Sequence, residues 1–218
     1  MKRKTLGLLH TSAALVPVFA QLCKAKLPRV DTFNLVDDSL VPAIGAHGLT
    51  AAIRRRVAGY LASAEAAGAD YILVTCSSIG PAVEAAAPLT GVPVLRVDQP
   101  MADQAVRTGR RIGVIATLPT TLVPTADLIQ RRAVLAGRPI ELVSRLCEGA
   151  FAALMGGDAA KHDAMVAAAL KELAGAVDVI VLAQASMARV VDGLPAAERR
   201  VPILASPALA IEFLAGAL

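Results

Sequence analysis

Aromatic residues are scarce in this sequence of 218 residues: they make up 3% of the chain, and tryptophan is absent. The formal net charge is only +4, and the basic residues fall in small scattered clusters. A nucleic-acid-binding protein is therefore a poor hypothesis, because it would need a basic surface and aromatic side chains that stack on bases. Long apolar runs are lacking too. None reaches the roughly 20 residues that a membrane-spanning helix requires, so we expect no membrane association.

Cysteine is also rare, and no nucleotide-binding motif is present. Three cysteines cannot all pair, and such low usage is typical of a reducing compartment, so we expect a cytoplasmic protein. Neither a G-x-G-x-x-G nor a P-loop spacing occurs, and no metal site is predicted. Apolar residues, in contrast, make up 56% of the chain and indicate a large buried core.

An internal repeat organises the chain. Three blocks recur in the same order: residues 4–11 and 110–117, residues 69–78 and 177–186, and residues 92–95 and 201–204. The offsets are 106, 108 and 109 residues, so a duplicated half-chain is the simplest interpretation. We expect a first lobe over residues 1–97 and a second over residues 98–206. A C-terminal helix over residues 207–218 is expected to pack back on the first lobe.

Each half alternates short apolar runs with longer helical patterns. The runs lack polar alternation, which is typical of parallel strands buried on both faces: Leu6–Leu9, Thr32–Val36, Tyr71–Thr75, Val92–Val97, Ile112–Ile115, Ile140–Ser144, Val179–Ala183 and Ile203–Ala205. Helices are predicted from Leu49 to a stop at Gly68, and from an Asp158 cap to about Ala174. The predicted fold is α/β, with two similar open lobes. Each lobe has a mostly parallel four-stranded sheet flanked by helices, and the active site is expected in the cleft between the lobes.

Small and hydroxyl-bearing residues follow the first and third strands of each half. They are His10, Thr11 and Ser12; Thr75, Cys76, Ser77 and Ser78; Thr117, Thr120 and Thr121; and Gln184, Ala185 and Ser186. Backbone N–H groups at helix starts, together with hydroxyls, form a cradle for an anion such as a carboxylate. The alternative is that these residues only cap helices.

Cys76 and His10 are the candidate catalytic residues. A thiol between a buried strand and a helix start is stabilised as thiolate by the helix dipole. If the first and third strands are neighbours, His10 could accept the thiol proton or act as a separate acid. Cys23 and Cys147 are predicted core residues, and His47 and His162 are expected to be exposed.

The duplicated halves, with Val74–Ser78 and Val181–Ser186 at matching positions, resemble the aspartate/glutamate racemase superfamily, which includes hydantoin racemases, maleate isomerase and arylmalonate decarboxylase. The resemblance implies a homodimer and catalysis without a cofactor, with one cysteine after the third strand of each half. Cys76 matches the first cysteine. Thr75, Ser77 and Ser78 match residues that hold the substrate carboxylate, Thr117 and Thr121 fall in the matching loop, and His10 matches an acidic helper. Gln184 stands in place of the second cysteine and is expected to orient substrate oxygens.

These observations favour a racemase or isomerase that acts on a small carboxylate through an enolate-like intermediate. If inversion occurs, the second proton comes from His10 or water. A decarboxylase with one thiol, a Cys–His covalent enzyme and a non-catalytic small-acid binding protein are the alternatives.

Overall fold

The computed structural model describes residues 3–218, except for the side chain of Asp192. Strands and helices alternate along this part of the chain. The strands are β1 Lys4–His10, β2 Val30–Val36, β3 Tyr71–Val74, β4 Val94–Arg96, β5 Arg111–Ala116, β6 Glu141–Leu146, β7 Val179–Leu182 and β8 Ile203–Ala205. The helices are α1 Val16–Lys26, α2 Leu40–His47, α3 Ala51–Ala66, α4 Gly80–Ala86, α5 Gln99–Thr108, α6 Pro119–Leu135, α7 Ala150–Met155, α8 Ala159–Leu173, α9 Ala188–Gly193 and α10 Ser206–Ala217.

The strands form two four-stranded sheets with the same topology. Their orders are β2-β1-β3-β4 and β6-β5-β7-β8, and every neighbouring pair is parallel. Helices connect consecutive strands, as parallel pairing requires. The predicted α/β fold with two similar sheets is therefore confirmed, and the sheets are wholly rather than mostly parallel.

Contacts divide the chain into two compact units. One unit contains the residues up to Asp98 together with Pro207–Leu218, and the other contains Gln99–Ser206. In the first unit the sheet is covered on both faces. Leu9, Val74 and residues of α3 and α4 form one cluster. Leu8, Leu73, Phe19 and residues of α10 form the other.

An aspartate before the third strand of each sheet repeats the same contact. Asp70 accepts a hydrogen bond from the backbone N–H of Thr5 at 2.9 Å. Asp178 accepts hydrogen bonds from the backbone N–H groups of Arg110 and Arg111, each at 2.8 Å. These bonds tie the start of the third strand to the start of the first. The repeat read from the sequence therefore extends to individual side-chain contacts.

The predicted helix boundaries agree closely with the structure. The Thr50 hydroxyl caps α3 at the amide of Ile53, and the helix is followed by Gly68 with a φ of +88°. That left-handed conformation suits glycine, which has no Cβ to clash. The Asp158 carboxylate caps α8 by accepting a bond from the amide of Lys161 at 3.0 Å. Both helices thus begin at a side-chain cap, and α3 ends just before the glycine that was predicted to stop it.

One expectation about the remaining histidines is wrong. His162 is fully buried on α8, where it lies on the same inward-facing stripe as Val166 and Leu170. Its Nδ1 lies 2.7 Å from the Asp163 carboxylate. His47, the last residue of α2, is exposed as expected. Cys23 and Cys147 are buried, as predicted.

No helix among residues 3–218 is long and apolar enough to cross a membrane.

Candidate functional site

The ends of β1 and β3 lie side by side in the first unit. The backbone N–H of Thr75 donates to the carbonyl of Leu9 at 3.0 Å, which continues the pairing of the two strands beyond Val74. The Thr75 hydroxyl lies 3.1 Å from the same carbonyl and 2.9 Å from Nδ1 of His10. Both polar groups of Thr75 are therefore engaged within the protein, and this residue holds the strand end in place.

His10 is fully buried, and both of its ring nitrogens have partners. Nε2 lies 2.9 Å from Oδ1 of Asn34 on β2, and Nδ1 faces the Thr75 hydroxyl. In a neutral ring that donates from Nε2 to Asn34, Nδ1 accepts the single hydroxyl hydrogen of Thr75, which then cannot also donate to the carbonyl of Leu9. Burial lowers the pKa of His10, and the hydrogen bond with Asn34 offsets only part of this shift. The imidazole is therefore held neutral between two strands.

Cys76 lies on the other face of the sheet. Its side chain packs against the cluster that contains Val74, whereas the His10 ring contacts Phe19 of the opposite cluster with 5.6 Å between ring centroids. The register explains this difference, because the bond between Thr75 and Leu9 aligns His10 with Thr75, and side chains alternate between the faces of a strand. The structure brings β1 and β3 together as expected, but it directs His10 towards Asn34 and Thr75 rather than towards the thiol.

The thiol is half-buried, in contrast to the two buried cysteines. Cys76 has an extended backbone (φ −132°, ψ 120°) and precedes a 3-10 turn over Ser77–Ile79 that leads into α4. Burial raises the pKa of Cys23 to about 11 and also raises the pKa of Cys147. Of the three cysteines, all of which lie in the described residues, Cys76 is thus the one with a surface that a ligand can reach.

The other predicted residues of the first unit surround these two strand ends. Ser77, Ser78 and Thr11 are buried, and Ser12 is half-buried. Ser12 occupies the cap position before a 3-10 turn over Ala13–Leu15, yet its hydroxyl makes no capping bond. The capping alternative therefore does not account for Ser12.

A buried charged group, which was not predicted from the sequence, lies next to the turn that follows Cys76. Arg96, at the end of β4, donates to both carboxylate oxygens of Asp98 at 3.0 and 2.7 Å, and to Glu84 of α4 at 2.8 Å. Arg96 and Asp98 are almost fully buried. A charged residue inside an apolar run was the available signal, because a buried charge must be paired. Asn34, a polar residue within β2, was a similar signal.

In the second unit, Gln184 binds Thr117. Oε1 of Gln184 accepts hydrogen bonds from the backbone N–H of Thr117 at 2.6 Å and from its hydroxyl at 2.9 Å. A backbone N–H can only donate, so the carbonyl of the amide must face Thr117 and the NH₂ group must face away. Gln184 is half-buried and therefore offers an amide donor rather than an acceptor.

The remaining predicted residues of this unit lie close in sequence to that pair. Thr120 and Thr121 belong to the first turn of α6, with Thr121 buried, whereas Ala185 and Ser186 form a half-buried 3-10 turn after Gln184. The residues equivalent to His10 and Thr75 are Ala116 and Ala183, so the second unit has no counterpart of the imidazole–hydroxyl pair.

Two surface cavities in the second unit lie apart from these strand ends. One, of about 410 Å³, is lined by Val191 and residues 199–203. The other, of about 310 Å³, is lined by residues of α5 and α6 together with Ala136. No group of three or more His, Cys, Asp or Glu side chains in the described part of the chain is arranged to hold a metal ion.

Comparison with known proteins identifies the family. The model of the Asp/Glu/hydantoin racemase family matches residues 6–214. The chain belongs to this family. The fold agrees with this assignment, because solved structures of racemases share it, although their sequences are only 13–20% identical to this chain.

Three racemase structures illustrate the similarity of fold. A glutamate racemase from Bacillus anthracis superposes with a TM-score of 0.79 and 19% identity, covering 100% of this chain and 82% of that chain. An allantoin racemase from Klebsiella pneumoniae gives 0.72 and 20%, with coverages of 98% and 86%. An aspartate racemase from Picrophilus torridus gives 0.73 and 13%, with coverages of 98% and 94%. No curated protein sequence shows significant similarity to this member of the family.

Proposed function

We propose that this racemase-family chain is a cofactor-independent isomerase that moves a proton at the α-carbon of a small carboxylate through the thiol of Cys76. The observation that carries the proposal is the half-buried thiol at the end of β3, in a chain whose other two cysteines are buried. In a parallel sheet, ligands bind beyond the carboxyl ends of the strands, which is where Cys76 lies. Thr11, Ser12, Ser77 and Ser78 are the proposed contacts for the substrate in this unit.

The proposed chemistry is a reversible proton transfer. The Cys76 thiolate takes the α-hydrogen, the electron pair of the C–H bond passes into an enolate, and the thiol then returns a proton to carbon. The enolate has to be stabilised by hydrogen-bond donors, because a proton beside a carboxylate is very weakly acidic. The sequence resemblance assigns Gln184 to orienting substrate oxygens, and its NH₂ group is the part of the amide that can donate, since its carbonyl is already engaged with Thr117.

Inversion at the α-carbon needs a second proton donor. A glutamine amide does not act as an acid or base near neutral pH. His10 is neutral, and both of its nitrogens are occupied by Asn34 and Thr75. We therefore assign His10 and Thr75 to positioning the strand end before Cys76, and we assign the second proton to water. The same contacts weigh against a Cys–His covalent enzyme, which requires an imidazole directed at the thiol.

A decarboxylase with one thiol is the second candidate. Loss of carbon dioxide generates the carbanion without a base, so only one proton has to be delivered. Gln184 in place of a second thiol is the feature that favours this reaction.

Proton exchange in heavy water tests the proposal. The protein is incubated with a panel of small carboxylic and malonic acids, and NMR follows the exchange of the α-hydrogen. We expect exchange in the wild type, its loss in Cys76→Ala, and its retention in Cys147→Ala, the matched control at a buried cysteine. Exchange with racemisation supports the isomerase, and release of carbon dioxide supports the decarboxylase. Tight binding with neither outcome, and no effect of Cys76→Ala, overturns both in favour of a binding protein.

The homodimer and the cytoplasmic location stay predictions.

A further inference from the structure

We propose that Arg96 is a positioning residue for Cys76. Held by Asp98 and Glu84, its guanidinium fills the space beside Gly80 and fixes the turn that follows Cys76. For its effect on catalysis, this inference rests on the function proposed above.

The sheet register places Arg96 and Cys76 on the same face. Arg96 pairs with Val74, and residues in register on parallel strands direct their side chains to the same side. Val74 belongs to the apolar cluster against which Cys76 packs, and Val94 packs against the same cluster. Arg96 therefore extends along the face that carries the thiol, not along the face of His10.

Three hydrogen bonds from the guanidinium to two carboxylates hold Arg96 in place. Asp98 binds it through both oxygens, and Glu84 binds the remaining terminal nitrogen through one. The Arg96 side chain is 4% exposed and that of Asp98 is 0% exposed, so the pair is shielded from water. Burial lowers the pKa of Arg96, but the attraction of Asp98 and Glu84 outweighs this effect and raises it overall. The guanidinium thus stays charged and immobile.

Gly80 lies directly against this immobile group. A methyl group built on Gly80 would overlap the guanidinium, with Nε only 2.7 Å away. Gly80 also closes the turn after Cys76, because its N–H donates to the carbonyl of Ser77. The position of Arg96 therefore sets how closely the turn can approach the sheet.

The second half of the chain provides an internal comparison. Ala188 occupies the position of Gly80, closes the turn after Gln184 by donating to Ala185, and has nearly the same backbone conformation (φ −56° against −49°). The strand residue in the place of Arg96 is Ala205. Alanine thus fits this turn when no arginine lies beneath it, so glycine is needed at position 80 for space rather than for its φ angle. The arginine–glycine contact occurs in the half that carries the thiol.

Amide hydrogen exchange of the intact protein tests the inference without any substrate. In Arg96→Lys, the ammonium cannot form the planar double contact with Asp98. We expect the Gly80 amide to exchange about tenfold faster or more, and the Ala188 amide to change by less than about twofold. We also expect the rate of Cys76 alkylation by iodoacetamide to change by about threefold or more. Arg132→Lys is the matched control, because Arg132 binds both oxygens of Asp103 elsewhere.

A second variant keeps all three charged groups. Gly80→Ala adds only the methyl group, and we expect the same faster exchange at position 80. In a background with Arg96→Ala and Asp98→Asn, the guanidinium and the carboxylate that would be left without it are both removed. There, Gly80→Ala should speed amide exchange at position 80 by a factor at least about threefold smaller than in the wild type. Equal effects of Gly80→Ala in both backgrounds, or no change in the turn in either single variant, overturn the inference.

Activity separates this inference from the proposed function. With an acid that undergoes exchange, Arg96→Lys should lower kcat by about tenfold or more while KM changes by less than about threefold. If the wild type exchanges the α-hydrogen of no acid but Arg96→Lys speeds amide exchange in the turn, the proposed function is wrong and the structural role of Arg96 stands. If the wild type is active and Arg96→Lys changes neither amide exchange in the turn nor kcat, the inference about Arg96 is wrong and the proposed function stands.

Discussion

The amide oxygen of Gln184 accepts two hydrogen bonds from Thr117, one from its backbone N–H at 2.6 Å and one from its hydroxyl at 2.9 Å. This double contact fixes which end of the amide faces the protein. Gln184 therefore has two separable roles, which are to hold the end of β5 through its oxygen and to present an NH₂ donor.

Substitutions at Gln184 should separate these roles. Gln184→Glu keeps an oxygen for Thr117 but replaces the donor with a negative charge, so we expect KM for a carboxylate to rise about tenfold or more without loss of the fold. Gln184→Leu removes both roles, and it should also speed amide exchange at Thr117. Steady-state kinetics and amide exchange measure the two effects. An unchanged KM in Gln184→Glu would show that Gln184 does not bind the substrate.

His10 should make the stability of the protein dependent on pH. Burial lowers its folded-state pKa below the ordinary value of 6.5. Its contribution is fully present above about pH 6.5 and is lost as the pH falls towards the folded-state pKa, because only the unfolded chain then takes up the proton. We expect the stability difference between wild type and His10→Gln to shrink between about pH 8 and pH 5.

Urea denaturation at several pH values measures this difference. His47→Gln, which removes an exposed imidazole, is the matched control. A difference between wild type and His10→Gln that grows on acidification would mean that His10 is charged in the folded protein.

Alkylation should distinguish the three cysteines. Iodoacetamide reacts with thiolates, and burial both shields Cys23 and raises its pKa to about 11. Burial raises the pKa of Cys147 as well. At about pH 8 we expect Cys76 to be modified at least about tenfold faster than either, as measured by peptide mass spectrometry. Equal rates in the folded protein would contradict the assignment of Cys76 as the accessible thiol.

Phe19 should be important for stability. It is fully buried on α1, and its ring faces His10. Phe19→Ala should lower the free energy of unfolding by about 3–5 kcal/mol, because it removes buried surface and leaves a cavity. Phe213→Ala is the matched control on α10. Phe213 is 45% exposed, and we expect a loss below about 1 kcal/mol in urea denaturation. Similar losses for both variants would show that the core at Phe19 is not as tightly packed as the structure indicates.

Most of the fold could be predicted from local patterns. The strands are apolar runs bounded by charged or turn residues, and the duplication is visible as matching blocks of sequence. The order of the elements and the parallel type of the sheets could therefore be predicted. The caps at Thr50 and Asp158 and the stop at Gly68 are local as well, because each depends on residues within one helical turn. The burial of His162 was not predicted, because which face of α8 turns towards the core depends on the whole helix and its neighbours and not on one residue.

The order of residues establishes that polar residues follow the first and third strands and that the first half carries a thiol where the second carries an amide. Which of these groups come into contact depends on how the strands pair. A shift of one residue in register moves a side chain to the opposite face of a sheet, and this register directs His10 to Asn34 and Thr75 and leaves Cys76 on the side of Arg96. Arg96 and Gly80 are 16 residues apart in the chain, so their contact exists only because β4 pairs beside β3.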